Sequence, residues 1–150
     1  MKLTSRGRYA VTAMLDMALR DPEERITLNE ISQRQDISLS YLEQIFARLR
    51  KGGLVTSMRG PGGGYRLARP PAEISVADII HAVDEVLDAR YCNGGRDCHN
   101  GSECLSHQLW NDLSEKIESY LHGITLQGLI DQRRAGAAQT AEIKFEREVV

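Results

Sequence analysis

Three cysteines and a histidine stand in the spacing Cys-x5-Cys-x5-Cys-x2-His, at Cys92, Cys98, Cys104 and His107. They fall in a stretch from Tyr91 to His107 that is rich in glycine and almost without apolar residues. Such a stretch cannot order itself by burying a core. A bound metal centre can order it, because binding energy then serves as folding energy. Three thiolates and one imidazole make four ligands. Zinc accepts that set tetrahedrally, but its structural sites usually take cysteines two to four residues apart. Gaps of five suit a loop wrapped around a larger centre, and a [2Fe–2S] cluster tolerates mixed Cys/His ligation. The residues therefore point firmly to a metal centre and favour the cluster over zinc. His99 competes for the fourth position. His107 is preferred because it lies about one helical turn after Cys104. A disulfide scaffold would spread an even number of cysteines through the chain. Three exposed free thiols would be an oxidation liability.

The elements around this loop must give it a purpose. A first helix is expected from Thr4 or Ser5 to about Leu19, with Tyr9, Ala10, Ala13, Met14, Leu15 and Met17 on its apolar face. Asp21-Pro22 ends it. Thr27-Leu28-Asn29-Glu30 fits a capping box and opens a short second helix. After the tight turn Asp36-Ile37-Ser38, Ser38 caps a third helix that stops at Gly52-Gly53. Leu39, Leu42, Ile45, Phe46 and Leu49 form its buried stripe. Ser40, Tyr41, Glu43, Gln44, Arg48 and Lys51 fall on other faces and are expected to be exposed. Two helices joined by so short a turn are the helix-turn-helix pattern. Ser38, Ser40, Tyr41, Glu43 and Gln44 at the start of the second are types that hydrogen-bond base edges in a major groove, and Arg48 further along it is expected to bind DNA with them.

Residues 54–59 then read as a strand, Gly60-Pro61-Gly62-Gly63-Gly64 as a turn and residues 65–68 as the return strand. This is a wing, with Arg59, Gly60 and Arg66 placed to meet phosphates or a minor groove. A phosphate-cradling loop would need Lys-Ser/Thr after the glycines and a helix starting there, and the sequence supplies neither. The fold class expected is mainly α with a small β wing. A winged helix-turn-helix domain over residues 1–70 is followed by a cluster loop and dimerisation helices over 71–133 and a flexible tail over 134–150. Ser75 caps a helix with Val76, Ile79, Ile80 and Val83 on its apolar stripe, and Thr125 caps a last short helix through Leu129 and Ile130. Between them, Leu109, Leu113, Ile117, Tyr120 and Leu121 form an apolar face suited to burial against a second copy. A two-fold homodimer would place two recognition helices on a palindromic operator in double-stranded DNA. His81 and His122 are read as surface or packing residues.

Charge agrees with this division. The net charge of −2 hides an excess of +5 in residues 1–69 and −7 in residues 70–150. A basic front half suits a polyanion. No apolar run is long enough to cross a bilayer. The first residues lack the apolar block of a signal peptide, so a cytoplasmic location is expected. A small electron carrier would explain the cysteine loop but not the wing. An enzyme is disfavoured, since no nucleophile–base pairing or open metal site is evident.

The chain closely resembles the IscR family of iron–sulfur cluster-sensing transcription regulators over roughly residues 1–133. The resemblance rests on Leu3-Thr4-Ser5 with Gly7-Arg8-Tyr9-Ala10-Val11, on Ser38-Leu39-Ser40-Tyr41-Leu42-Glu43-Gln44, on Arg59 through Tyr65, and on the cysteine loop ending Cys104-Leu105-Ser106-His107. It implies a [2Fe–2S] cluster on Cys92, Cys98, Cys104 and His107, supplied by the iron–sulfur cluster assembly machinery. It implies repression of cluster-assembly genes when the cluster is bound and action at a second class of sites without it. It also links Glu43 to discrimination between the two site classes. A winged-helix regulator with structural zinc, or one whose cluster senses redox state or nitric oxide, is the alternative.

Overall fold

The computed structural model describes residues 3–90, 92 and 95–149, with residues 139–149 described by backbone alone. Tyr91, Asn93 and Gly94 of the cysteine loop lie outside the described residues, as do the side chains at the end of the expected tail.

Helix α1 (Ser5–Ala18) lies against a helix-turn-helix of α2 (Leu28–Gln35) and α3 (Leu39–Lys51). Local chemistry sets the starts of the last two. Thr27 Oγ1 accepts from the Glu30 amide at 3.2 Å, and the Glu30 carboxylate accepts from the Thr27 amide at 2.7 Å, a complete capping box. Ser38 Oγ accepts from the Tyr41 amide at 3.2 Å and starts α3. Strands β1 (Val55–Met58) and β2 (Gly64–Leu67) pair antiparallel, Val55 opposite Leu67 and Met58 opposite Gly64. The wing leans on Ile26 through the bridge Ile26–Tyr65. Gly64 permits this approach: a Cβ there would stand 2.8 Å from the Ile26 carbonyl oxygen. Tyr65 sets its ring edge-on to Phe46, centroids 5.0 Å apart, and so fastens the wing to α3.

A short 3-10 turn (Pro71–Glu73) leads to α4 (Val76–Ala82), capped by a second box between Ser75 and Asp78. Helices α5 (His107–His122) and α6 (Leu126–Val149) complete the described chain. Ala10, Ala13, Met14, Ile31, Leu42, Ile45, Phe46, Leu49, Ile79 and Val83 fill one core. Leu126 joins them fully buried, so the C-terminal part closes back on the helix-turn-helix part. Backbone bonds from Leu126 to Ile74 (3.0 Å) and from Val76 to Ile124 (2.8 Å) fix that closure. This is a winged helix-turn-helix with a long helical appendage. No helix among the described residues is long and apolar enough to cross a membrane.

Several expectations change, among them the exposure of Tyr41 and Arg48, both of which are half-buried. Leu39, placed on the buried stripe of α3, is 40% exposed, and Tyr9 is 38% exposed. Leu39 is the first residue of α3, before its stripe reaches the core at Leu42, and Tyr9 sets its ring against Tyr41 instead. The last helix does not stop after Ile130: the backbone stays helical to Val149. The segment lacks an apolar face, but its Ala, Gln, Glu, Lys and Arg are strong helix formers. Helix α5, by contrast, buries only His107 and Ser114. Its Leu109 and Tyr120 stay 59% and 67% exposed, and Trp110 and Leu113 lie beside them at the surface.

Candidate metal centre and nucleic-acid interface

His107 is the first residue of α5 and is buried. Its Nδ1 lies 3.4 Å from Cys98 Sγ and 3.8 Å from Cys92 Sγ. These three ligand atoms all lie within 4.8 Å of one another. Cys104 is held next to them, its amide donating to Cys98 Sγ at 3.0 Å. All four side chains line one cavity of about 230 Å³, closed by Arg90, Ser106 and Trp110. The structure thus brings Cys92, Cys98 and His107 together and sets Cys104 on the same wall. His99 is exposed and hydrogen-bonds through its backbone to Ser102, outside the convergent set.

The thiols influence one another. The Cys98 side chain hydrogen-bonds to Cys104 and holds the Cys104 thiol below its ordinary value. The Cys104 amide pulls Cys98 down, yet burial and the neighbouring Cys104 and Cys92 outweigh it and push Cys98 up. Four donors of this kind, facing one small cavity, fit a soft metal centre that takes thiolate and imidazole.

The loop enters this site from a clamp that the sequence did not announce. Asp88 takes the Arg90 guanidinium two-handed, at 2.8 Å through Nε and 2.8 Å through Nη2. Ser114 Oγ donates to Asp88 at 3.1 Å and accepts from the Ala89 amide at 2.9 Å. Arg90 also reaches Asn111 at 2.9 Å. The Arg90 hydrogen bonds lower the Asp88 carboxyl to about 2. The clamp fixes the chain before Cys92 to the helix that begins at His107. Asn111 and Ser114 are three residues apart on α5, a spacing too common on helices to have served as a signal.

The nucleic-acid face is more exposed. Ser38, Ser40, Glu43 and Gln44 lie open at the start of α3. Tyr41 is half-buried, its ring edge-on to Tyr9 with centroids 5.7 Å apart and its hydroxyl 3.3 Å from Ser5 Oγ. Arg48 is turned to Asp84 in an ion pair. Arg59 and Gly60 are exposed at the wing tip, where Gly60 adopts φ +100°, a conformation that favours glycine. Arg66 is half-buried at the wing base, with Nε 3.3 Å from Met58 Sδ and Nη1 3.5 Å from Glu23. Of the three arginines named from the sequence, Arg59 is the one presented outward at the wing tip.

Residues 3–132 match the family model described as "Rrf2: Iron-dependent Transcriptional regulator". The chain is 60% identical over 130 residues to "HTH-type transcriptional regulator IscR" of Aliivibrio salmonicida, covering 87% of this chain and 77% of that protein. It is 57% identical over 133 residues to the protein of the same name from Serratia proteamaculans, covering 89% and 81%. Among solved structures, "T. potens IscR" superposes with a TM-score of 0.73 at 36% identity, over 89% of this chain and 88% of that one. CymR, described as the global cysteine regulator of B. subtilis, superposes with a TM-score of 0.75 at 30% identity, over 88% and 98%.

Proposed function

The chain belongs to the Rrf2 family of transcriptional regulators, and from that premise we propose that it is a cytoplasmic homodimer that binds a palindromic operator and senses iron–sulfur cluster supply. The observation that carries the reading is the convergence of Cys92, Cys98 and His107, with Cys104 on the same cavity, in a chain whose front half is a winged helix-turn-helix. Cys92, Cys98, Cys104 and His107 hold a [2Fe–2S] cluster, received from the cell's cluster-assembly machinery. When bound, the cluster supplies a redox-active centre whose presence reports cluster supply. The residues do the rest. The four ligands and the Asp88–Arg90 clamp order the loop against α5, and the exposed apolar face of α5 meets a second copy. Residues 1–70 then act as the DNA-binding unit and 71–133 as the cluster and dimer unit, with 134–150 as an appendage. The cluster-bound dimer represses cluster-assembly genes, and the cluster-free dimer acts at other sites.

Anaerobic isolation tests the centre. The protein should be coloured and hold about two iron and two acid-labile sulfide per chain, the content of a [2Fe–2S] cluster. Colourless protein with stoichiometric zinc would replace the cluster with a structural metal.

Two expectations concern DNA. Removing a phosphate contact should lower the slope of log affinity against log salt by about 0.9 on duplex DNA. Arg59→Ala should show that loss. Arg66→Ala should show less, because Arg66 is already engaged with Glu23 and Met58. Salt titrations of both variants on one operator decide it, and an unaltered Arg59→Ala slope removes Arg59 from the interface. Glu43 is exposed in the first turns of α3. Its carboxylate can accept from a cytosine amine but repels phosphate elsewhere, so it penalises sites lacking a placed donor. Glu43→Ala should let cluster-free protein gain affinity for the site class normally reserved for the cluster-bound form. Equal loss on both classes in parallel titrations would make Glu43 a plain contact instead.

A further inference from the structure

A second set of ligand atoms lies outside the cysteine loop. His81 is in the last turn of α4, and Glu118 and His122 are on α5. Glu118 and His122 are four residues apart, which stacks them on one helix face. His81 arrives from the other helix. Its Nε2 lies 3.1 Å from Glu118 Oε1, and His122 Nε2 lies 2.9 Å from the same oxygen. All three ligand atoms fall within 4.8 Å of one another. Neighbouring ligand atoms on a tetrahedral zinc ion, with bonds of 2.0–2.1 Å, stand about 3.3 Å apart. The two observed separations to Glu118 therefore need only small outward shifts to admit an ion. The two imidazoles meet edge to face, centroids 5.9 Å apart, so both rings already turn the same nitrogen to one point.

The surroundings fit a ligand site. The three side chains line a cavity of about 430 Å³ between the two helices, together with Asp88, Arg90 and Ser114 of the loop clamp. Two imidazoles and one carboxylate suit zinc and its neighbours, and leave a fourth position for water. The set contains no thiolate, so it differs in chemistry from the cysteine site.

We infer that His81, Glu118 and His122 bind one divalent transition-metal ion of the zinc class, which ties α4 to α5. The tie has a structural consequence. Helix α4 sits in the core through the fully buried Ile79, whereas α5 starts at His107 and buries little else. An ion shared by the two helices stiffens the joint between the DNA-reading domain and the helix that carries the cysteine-loop histidine. This inference does not depend on what the cysteines hold.

The test removes the competing thiols. The full chain with Cys92, Cys98 and Cys104 all changed to Ser is titrated with cobalt(II), and its fold is checked by circular dichroism. One equivalent should bind per chain, with visible bands that lack thiolate-to-cobalt charge transfer. His81→Ala and His122→Ala in that background should each weaken binding at least about tenfold, since losing even an outer-shell partner costs that much. A second measurement keeps the native cysteines: wild-type chain isolated anaerobically and dialysed against zinc should retain one more zinc than its His122→Ala counterpart, with visible absorption unchanged. Equal metal content in those two proteins, or cobalt binding unaffected by either histidine substitution, overturns the inference.

Discussion

Cys98→Ala protein isolated without oxygen should be colourless and free of iron. Cys98 is engaged by two of the other candidate ligand residues: His107 Nδ1 is 3.4 Å away and the Cys104 amide donates to it at 3.0 Å. Its loss removes one proposed ligand and the sulfur that accepts from the Cys104 amide. Cys92→Ala and Cys104→Ala should also abolish the colour. His107→Ala should lose cluster as well, because the imidazole closes the space between the Cys92 and Cys98 sulfurs. His107→Cys supplies a thiolate at the same helix start and should restore iron with a shifted spectrum, since the imidazole-to-thiolate exchange alters cluster potential and absorption. His99→Ala should leave iron content untouched. Iron and sulfide assays with visible spectra on the six proteins check the set. Full colour in His107→Ala together with loss in His99→Ala would move the fourth ligand to His99. A further consequence concerns the clamp: Asp88→Asn keeps all four ligands but loosens the Arg90 contact, so the cluster should form and then be lost faster in air.

Much of this was legible in the chain because the signals were local. The boxes at Thr27–Glu30 and Ser75–Asp78 and the Ser38 cap each lie within four residues, and each formed as written. The glycine turn between two short strands is similarly local. The four metal-ligating types were visible as a spacing, but their meeting was not: Cys92 and His107 are fifteen residues apart and joined by a turn-rich loop. What stayed hidden was pairing across the fold. Arg48, grouped with the DNA-contacting residues by its place on α3, also pairs with Asp84, thirty-six residues later. Asp88, Asn111 and Ser114 carry no motif, and their role exists only because α5 runs back beside residues 88–90. His81 reads as an ordinary surface or packing residue for the same reason: nothing in its neighbourhood predicts that α5 brings Glu118 to it. Exposure at a helix start, as at Leu39, is also invisible to a periodicity that assumes the whole stripe meets the core.

Arg34→Ala should unfold at a markedly lower denaturant concentration than the parent, by about 3 kcal/mol of stability. Asp16 is buried on α1, and Arg34 of α2 reaches it through Nε at 3.0 Å and Nη2 at 2.6 Å, while Gln35 donates at 2.7 Å. Removing one partner of a buried pair costs about 3–5 kcal/mol because the other charge is left uncompensated. The lower end applies, since the Arg34 side chain keeps 30% of its surface in water. Burial alone would raise the Asp16 carboxyl, but the hydrogen bonds from Arg34 and Gln35 and the Arg34 charge outweigh it and hold the group below its ordinary value of 3.8. A carboxylate depressed in the folded state gives stability that is present above its unfolded value and lost as pH falls through the folded one. The parent should therefore lose stability on acidification below about pH 4. In Arg34→Ala, where desolvation is no longer opposed by Arg34, that dependence should flatten or reverse. The pair also pins the first helix of the helix-turn-helix to α1, so it sets how α3 is presented. Arg34→Lys keeps a charge but not the two-handed grip and should recover only part of the stability. Denaturant titrations of the three proteins at pH 7 and pH 3.5 measure both effects. An Arg34→Ala midpoint within error of the parent at pH 7 would mean that water replaces the guanidinium at no cost, and that the helix-turn-helix is held by its apolar core alone.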